Sequence, residues 1–290
     1  VQQEGTKIFD NSLYFAEHGI HKNLTRLMGK NGFKPFTRAD VEAAIAELET
    51  MSSLTYDDIQ KEAIVQAITN PLFILTGGPG TGKTTVINGI IAVYAILHKI
   101  DLTGNQEECP VLLAAPTGRA ARRMNELTGL PSATIHRHLG LVEGQEESYR
   151  DDYLDADFII VDEFSMVDTW LANQLFQNIS SQTQVLIVGD AEQLPSVSPG
   201  QVLADLLKID KLPSITLERI YRQSDDSTIV TLASQIRQGA LPSDFREKKA
   251  DRSYFEAQNE QIPALIERIV GAAIKSGIPA NEVQILAPMY

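Results

Sequence analysis

Five short apolar runs recur along the chain, and each ends at or directly before a glycine, proline, threonine or aspartate. Their valine, isoleucine and leucine residues follow one another without polar alternation, which is typical of strands covered on both faces. Such strands belong to mostly parallel sheets with helices on both faces, so the pattern predicts a doubly wound α/β fold. The predicted strands are "LFILT" (72–76), "VLLAA" (111–115), "FIIVD" (158–162), "VLIVG" (185–189) and "VQILAP" (283–288).

Composition narrows the class of protein further. With 290 residues, 43% of them apolar, the chain can bury a core of ordinary size. No apolar run reaches the roughly 20 residues that a membrane-spanning helix needs. The single cysteine, Cys109, excludes an intrachain disulfide framework and suits the reducing cytoplasm, where we expect the protein to act. A net charge of −13 argues against a protein that coats nucleic acid by bulk attraction.

The stretch "GGPGTGKTT" (77–85) follows the first predicted strand and precedes an apolar helix. It matches the pattern G-x-x-x-x-G-K-[ST], in which glycines let backbone N–H groups point at phosphate oxygens. Lys83 would reach the β- and γ-phosphates as a catalytic residue, and the Thr84 hydroxyl would bind Mg²⁺. The predicted nucleotide-binding residues of this loop are Gly77, Gly78, Pro79, Gly80, Thr81, Gly82, Lys83, Thr84 and Thr85.

Two adjacent carboxylates, Asp162 and Glu163, end the third predicted strand. Strand-end placement opposite a phosphate loop predicts that Asp162 binds Mg²⁺ and that Glu163 is the general base for an attacking water. Helix capping is the simpler alternative for such an acidic pair. Gln193, after the next strand, is predicted to sense the γ-phosphate or the water, although a glutamine in a loop is more often only solvated.

Eight ordered blocks together resemble the RecD-type enzymes of superfamily 1B DNA helicases, the exodeoxyribonuclease V alpha-chain family with its stand-alone bacterial relatives. The blocks lie between residues 54 and 239. They are "LTYDDIQKEAI" (54–64), "GGPGTGKTT" (77–85), "APTGRAARRM" (115–124), "ATIHRHLG" (133–140), "VDEFSMVD" (161–168), "VGDAEQLPSVSPG" (188–200), "LERIYRQ" (217–223) and "LASQIRQG" (232–239).

The resemblance implies an ATP-driven, RecA-like motor that moves 5′ to 3′ on single-stranded DNA in repair or recombination. Gln60 is similar to the adenine-reading glutamine of these helicases, and Tyr56 is a candidate for stacking nearby. Arg222 resembles their arginine finger, a catalytic group that would stabilise charge on the γ-phosphate. A structural ion pair is the alternative for Arg222.

Contacts with DNA are also implied by the resemblance. Pro116 and Thr117 match positions at which relatives contact the single-strand backbone, and Arg119 and His136 lie in the same zone. Glu126 is the only acidic residue between positions 111 and 141, so this stretch is locally positive despite the net charge of the chain. The alternative for arginines here is a solvated helix face.

Domain organisation is predicted from the same patterns. Residues 1–52 have apolar residues at helical spacing and are predicted to be a helical remnant of an N-terminal domain. Residues 53–282 are predicted to form the first RecA-like motor domain. Residues 283–290 resemble the start of the connection to a second motor lobe. We therefore expect a monomeric fragment that binds nucleotide weakly, hydrolyses it poorly and unwinds nothing.

Two other classes of function stay open. One is a RecA-fold ATPase that acts on protein partners, which the acidic charge suits. The other is a regulatory module that binds nucleotide without turnover. For a helicase, the predicted partners are single-stranded DNA and, as further candidates, other recombination or repair proteins, with no membrane. An aspartate cluster at 151–157 is predicted to be a solvated loop and not a nuclease site.

Overall fold

The computed structural model describes residues 2–4, 7–29, 33, 35–102, 109–141, 153–219, 227–237 and 239–287. The chain divides into two compact units, Val1–Gln223 and Ser224–Tyr290. A two-stranded antiparallel sheet, β1 (Gln2–Glu4) and β2 (Lys7–Phe9), opens the first unit.

Within the described residues, six strands form one parallel sheet. They are β3 (Leu72–Gly77), β4 (Val111–Ala115), β5 (Ser132–Thr134), β6 (Phe158–Val161), β7 (Gln184–Gly189) and β8 (Ser214–Leu217). Their order across the sheet is β5-β4-β6-β7-β3-β8, and every neighbouring pair is parallel. All residues of β3, β6 and β7 are buried, which explains why their sequences lack polar alternation.

Helices of the first unit cover both faces of this sheet. Along β3, Phe73 and Leu75 belong to one apolar cluster, whereas Leu72 and Ile74 belong to the other. The helices are α1 (Asn11–Met28), α2 (Arg38–Ser52), α3 (Asp58–Thr69), α4 (Lys83–His98), α5 (Gly118–Thr128), α6 (Ile135–His138), α7 (Thr169–Gln177) and α8 (Val202–Leu206). The predicted α/β class, with a parallel sheet and helices on both faces, is confirmed.

Four of the five predicted strands are confirmed as β3, β4, β6 and β7. The fifth, 283–288, is wrong over its described residues 283–287, which contain no strand. The Leu286 side chain there is 84% exposed, and no strand is present among the described residues of the second unit to pair with it. Strands β5 and β8 were not predicted, because they are short, lie at the two edges of the sheet and carry partly exposed side chains.

The N-terminal helices pack as layers of the first unit. Helix α1 lies against α7, with Leu24 and Leu27 in one apolar cluster. A Cβ at Gly19 would lie 2.0 Å from Asn173 Oδ1, so a larger residue at this position would force the Asn173 side chain to move. Helix α2 lies against α3 and α4 on the opposite face, with Val41 in the other cluster. Residues 11–28 and 38–52 are therefore helical as predicted, while the boundaries 1–52 and 53–282 stay a prediction.

The second unit contains two longer helices among its described residues, α9 (Thr228–Arg237) and α10 (Ile262–Lys275). The Asp251 carboxylate accepts hydrogen bonds at the start of α9 from the Ser227 hydroxyl (3.0 Å), the Ile229 N–H (3.2 Å) and the Thr228 hydroxyl. These bonds lower the pKa of Asp251 to about 2, the bond from Thr228 being the largest cause. In the described part of the chain, no helix combines the length and the apolar character that crossing a bilayer requires.

The buried Gln184 side chain fastens the C-terminal end of α3 to the sheet. Its Nε2 donates to the carbonyl oxygens of Ala67 (2.7 Å), Ile68 (3.0 Å) and Asn70 (2.9 Å). The last carbonyl oxygens of a helix have no N–H donor within the helix. The Gln184 amide therefore supplies donors for the carbonyls at the end of α3.

We predict that Gln184→Leu lowers the free energy of unfolding by about 1–3 kcal/mol, because it leaves buried carbonyls without a donor. Urea denaturation of the chain measures the change. The matched control is Gln182→Leu, at an exposed neighbouring position, which should leave the midpoint nearly unchanged. Equal effects of the two substitutions would contradict the role of Gln184.

Candidate active site

The glycine-rich loop connects the end of β3 to the start of α4. Gly80 (φ 81°) and Gly82 (φ 88°) adopt left-handed backbone conformations that favour glycine, and Gly82 is the residue before the first helical turn. A Cβ at Gly77 would lie 2.7 Å from Thr81 Oγ1 and 2.8 Å from the Leu217 carbonyl oxygen of β8. The glycines therefore permit both the turns and the close packing that bring the chain into α4.

The Lys83 side chain folds back over this loop. Its Nζ donates to the carbonyl oxygens of Gly77 (2.6 Å) and Gly78 (3.0 Å). Thr81 is buried, and its hydroxyl donates to the Gly78 oxygen (2.9 Å). Pro79 is exposed at the tip of the loop, and Thr84 and Thr85 are half-buried in the first turn of α4. The predicted loop residues thus form one closed turn at the N-terminus of a helix, where backbone N–H groups attract anions.

The acidic pair follows β6 directly. Glu163 is a non-glycine residue with a left-handed backbone (φ 53°), and its N–H donates to Asp162 Oδ1 (2.8 Å). A left-handed conformation is costly for a residue with a side chain, and such strain is concentrated at functional sites. The tight turn orients the Asp162 carboxylate and leads into a 3-10 turn at Phe164–Met166.

Strand β7 lies between β3 and β6, so it separates the glycine-rich loop from the acidic pair by one strand. It ends at Gly189, where a Cβ would lie 2.7 Å from Leu203 Cδ2 and 3.2 Å from the Ser165 nitrogen. The next residue, Asp190, is 2% exposed, and its carboxylate accepts a hydrogen bond from the Glu192 N–H (3.1 Å). Asp190 was missed as a site residue, although an aspartate directly after a buried strand was the available signal.

Charges of the loop and the acidic pair act on one another. Burial raises the pKa of Asp162, while the hydrogen bond from Glu163 and the charge of Lys83 oppose the shift. Burial also raises the pKa of Glu163, followed by the Asp162 charge, with Lys83 opposing and Asp190 adding to the rise. Lys83 therefore lies within electrostatic range of both carboxyls, which brings the predicted phosphate-binding, metal-binding and general-base residues together on one edge of the sheet.

Gln60 is 6% exposed at the start of α3. Its N–H donates to Asp57 Oδ1 (2.8 Å), and its Oε1 accepts from the Asp57 N–H (3.1 Å), a reciprocal capping box. Helix α3 immediately precedes β3 and packs on it. The Tyr56 ring is 4% exposed beside Ile64 and Gly89, so the suggestion that it stacks on a base is wrong.

Two other predicted site residues are Gln193, which lies on the loop that follows β7, and Arg222. The Gln193 side chain is exposed, and its N–H donates to the Asp190 carbonyl oxygen (3.1 Å). Its role as a sensor stays a prediction. Arg222 lies outside the described residues, so its role as an arginine finger also stays a prediction.

The candidate DNA-contacting residues follow two neighbouring strands, β4 and β5. Pro116 and Thr117 come directly after β4, and the Thr117 hydroxyl accepts from the Ala120 N–H (3.2 Å) as the cap of α5. The side chains of Arg119 in α5 and His136 in α6 are exposed. These positions follow the two strands of the sheet that are farthest from β3 and β8.

Some basic side chains of this zone have structural partners. The Arg123 guanidinium pairs with Glu126 on the same helix (3.4 Å). The His138 Nε2 lies 3.0 Å from the Leu113 carbonyl oxygen of β4, and burial lowers the pKa of this imidazole. These contacts favour structural roles for Arg123 and His138.

We predict that Glu163→Gly raises the free energy of unfolding by about 1 kcal/mol, because glycine adopts the left-handed backbone without the cost paid by an L-residue. Urea denaturation without nucleotide measures the change. The control is Glu126→Gly within α5, which should destabilise the chain by about 1 kcal/mol. Destabilisation by both substitutions would contradict strain at Glu163.

We predict that, without nucleotide, Asp162→Asn makes the chain more stable than the wild type at pH 7. The folded pKa of Asp162 is raised, so the stability gained by its neutral form is complete below the unfolded pKa of about 3.9 and is lost as pH rises through the folded value. The advantage of asparagine should therefore vanish in acid. Urea midpoints measured across pH test this, with Asp155→Asn as an exposed control; a difference independent of pH would refute it.

A family model described as an AAA domain matches residues 60–199. The chain is 33% identical over 234 residues to the ATP-dependent RecD2 DNA helicase of Deinococcus radiodurans, a match that covers 79% of this chain and 30% of that protein. It is 36% identical over 237 residues to the RecBCD enzyme subunit RecD of Mycolicibacterium smegmatis, covering 74% and 42% respectively. The chain thus spans less than half the length of these curated relatives.

Among solved structures, the Pif1 helicase from Bacteroides, in complex with ADP-AlF3 and single-stranded DNA, has a TM-score of 0.46 and 20% identity. That match covers 80% of this chain and 58% of the Pif1 chain. A likeness at this level does not bear on function. The sequence matches do show the relationship: the chain is a homologue of the RecD-type DNA helicases, and residues 60–199 match an AAA domain.

Proposed function

We propose that this chain is an ATP-hydrolysing motor lobe of a RecD-type helicase that moves 5′ to 3′ on single-stranded DNA in repair or recombination. The observation that carries the proposal is geometric: Lys83 follows β3 and the acidic pair follows β6, two parallel strands separated only by β7, so both reach the same edge of the sheet. The charge of Lys83 there opposes the rise in the pKa of both carboxyls. Hydrolysis of a triphosphate needs a phosphate-binding cation, a metal ligand and a base in one place. The name of one curated relative, the ATP-dependent RecD2 DNA helicase of Deinococcus radiodurans, supports the assignment to ATP-dependent helicases.

In this proposal the triphosphate takes the place of the loop carbonyls as the partner of Lys83. Backbone N–H groups at the N-terminus of α4 would bind phosphate oxygens, because they attract negative charge. The ammonium group, now 2.6 Å from the Gly77 oxygen, would turn to the more strongly charged phosphates. Gln60 would read the adenine edge with its amide, whose Oε1 is already oriented by the Asp57 N–H.

Thr84 and Asp162 fit a Mg²⁺ ion in the chemistry of their donor atoms. Mg²⁺ prefers hard oxygen ligands and binds through one or two carboxylates together with substrate phosphates. No group of three or more His, Cys, Asp or Glu side chains that could hold a metal occurs in the described part of the chain, which suits a site completed by nucleotide phosphates. When bound, Mg²⁺ would neutralise charge on those phosphates.

Glu163 would accept the proton of the attacking water. Burial and the neighbouring acids raise the pKa of its carboxyl, which brings the base closer to the pH at which it must work. Gln193 would sense the γ-phosphate or the attacking water from the loop that follows β7. Arg222 would stabilise negative charge in the transition state.

Single-stranded DNA would run past the ends of β4 and β5. Phosphate contacts need a surface of the right local sign, and screening limits the reach of distant acids to roughly 10 Å. The stretch 111–141 carries four arginines against one acidic residue. Pro116, Thr117, Arg119 and His136 are the proposed contacts, and other recombination or repair proteins are candidate partners.

The test is ATP hydrolysis by the whole protein, measured with and without single-stranded DNA. We predict that DNA increases the rate and that Glu163→Gln lowers kcat by about 100-fold or more with little change in nucleotide affinity, because only the base is lost. Lys99→Asn, at the far end of α4, is the matched control, since asparagine tolerates the left-handed backbone there.

Each outcome separates the possible functions. ATP hydrolysis that is indifferent to single-stranded DNA would favour an ATPase acting on protein partners. Unchanged kcat in Glu163→Gln would remove this residue from catalysis. Nucleotide binding without any hydrolysis would favour a regulatory module.

A further inference from the structure

The connector of residues 53–57 joins α2 to α3 and leads directly into Gln60. It starts at Ser53, which has a left-handed backbone (φ 55°), and continues through the exposed Leu54. Apolar packing therefore does not determine the position of the first part of the connector. Its position must come from contacts made farther along, close to Gln60.

Glu49, in the last turns of α2, supplies two of these contacts. One carboxylate oxygen accepts a hydrogen bond from the Tyr56 N–H (2.8 Å). The other accepts from Lys61 Nζ (2.9 Å), one residue beyond Gln60. These bonds lower the pKa of Glu49, the bond from Tyr56 being the larger cause, so the carboxylate is ionised near neutral pH. A single side chain thus holds the sequence on both sides of Gln60.

The Tyr56 ring extends this linkage to the helix that carries the phosphate loop. It is buried beside Ile64 of α3 and Gly89 of α4. A Cβ at Gly89 would lie 2.8 Å from the Tyr56 hydroxyl, so the ring and α4 are in close contact. The residue after Tyr56 is Asp57, which exchanges two hydrogen bonds with Gln60. Contacts therefore run without a break from Glu49 to the Gln60 amide.

We propose that Glu49 is a positioning residue for base selection: by holding the connector, it orients the Gln60 amide so that the site prefers adenine to guanine triphosphates. This inference rests on the proposed nucleotide site. Adenine and guanine present opposite donor and acceptor groups at their six-position, so an amide discriminates between them only when its orientation is fixed. The glycine-rich loop binds phosphates, which the two nucleotides share.

A purely structural ion pair between Glu49 and Lys61 makes a different prediction. The side chain of Glu49 is 20% exposed and that of Lys61 is 37% exposed, and pairs that water reaches contribute little on their own. Loss of such a pair would leave both affinities unchanged or lower them equally. Loss of a positioning residue would weaken ATP binding alone. The ratio of the two affinities separates these roles.

The experiment measures binding of fluorescent ATP and GTP to this chain with Mg²⁺. We expect Glu49→Ala to raise the Kd for ATP by about tenfold, as expected for one lost hydrogen bond, and to leave the Kd for GTP within about twofold. Glu49→Gln keeps an oxygen that accepts the Tyr56 N–H, so it should retain the preference for ATP. The matched control is Glu42→Ala on the same helix, whose carboxylate pairs with the exposed Arg38.

A second variant, at Gly89 of α4, disturbs the connector through the Tyr56 ring and not through Glu49. Gly89→Ala would push the Tyr56 ring away from α4 and should also reduce the preference for ATP. It keeps the inference testable if Glu49→Ala does not fold. Circular dichroism establishes that each variant compared is folded.

The proposed nucleotide site and this inference fail in different ways. Unchanged binding of both nucleotides in Lys83→Ala would overturn the nucleotide site itself. If Lys83→Ala abolishes binding, the nucleotide site stands and Glu49 can be tested separately. The inference on Glu49 is then overturned if the wild-type chain binds ATP and GTP with equal affinity. It is equally overturned if Glu49→Ala lowers both affinities by the same factor, or neither.

Discussion

The electrostatic interaction of Lys83 with two partly buried carboxyls, Asp162 and Glu163, is the interaction on which the rest of this site depends. Lys83 follows the glycine-rich loop at the first position of α4, whereas Asp162 and Glu163 directly follow β6, two places away from β3 in the sheet. Because all six described strands of this sheet are parallel, their carboxyl ends lie at one edge of the sheet. The strands themselves are apolar and buried on both faces, and the polar residues of the site follow them at the edge of the sheet.

Several features of this site cost free energy in the protein without a bound nucleotide. Burial raises the pKa of both carboxyls, and Glu163 has a left-handed backbone. A cation and phosphates entering together would compensate these charges. Functional sites are where local strain is tolerated, because the surrounding core over-determines the conformation. Here that core is the pair of apolar clusters on the two faces of the sheet.

The N-terminal helices connect the fold to the proposed chemistry. Helix α1 completes the core on one face, and α2 completes it on the other. Because α2 ends near the start of α3, its Glu49 reaches both Tyr56 and Lys61. Helix α3 is fastened at its other end by Gln184 of β7. The helix that carries Gln60 is thus held at one end by the preceding helix α2 and at the other by β7, which is distant in sequence.

Local patterns determined what the sequence predicts well. The glycine-rich loop, the acidic pair and four buried strands are each contained in a few consecutive residues, so their conformations follow from neighbouring side chains. The features that the sequence did not predict depend on contacts between segments that are distant in the sequence. The apolar run at 283–287 forms no strand, short β5 and β8 exist only as partners of β4 and β3, and the Tyr56 ring is buried by α4. The hydrogen bonds of Glu49 with Tyr56 and Lys61 come from residues that no local pattern identifies, because burial and hydrogen-bond partners are properties of the folded chain.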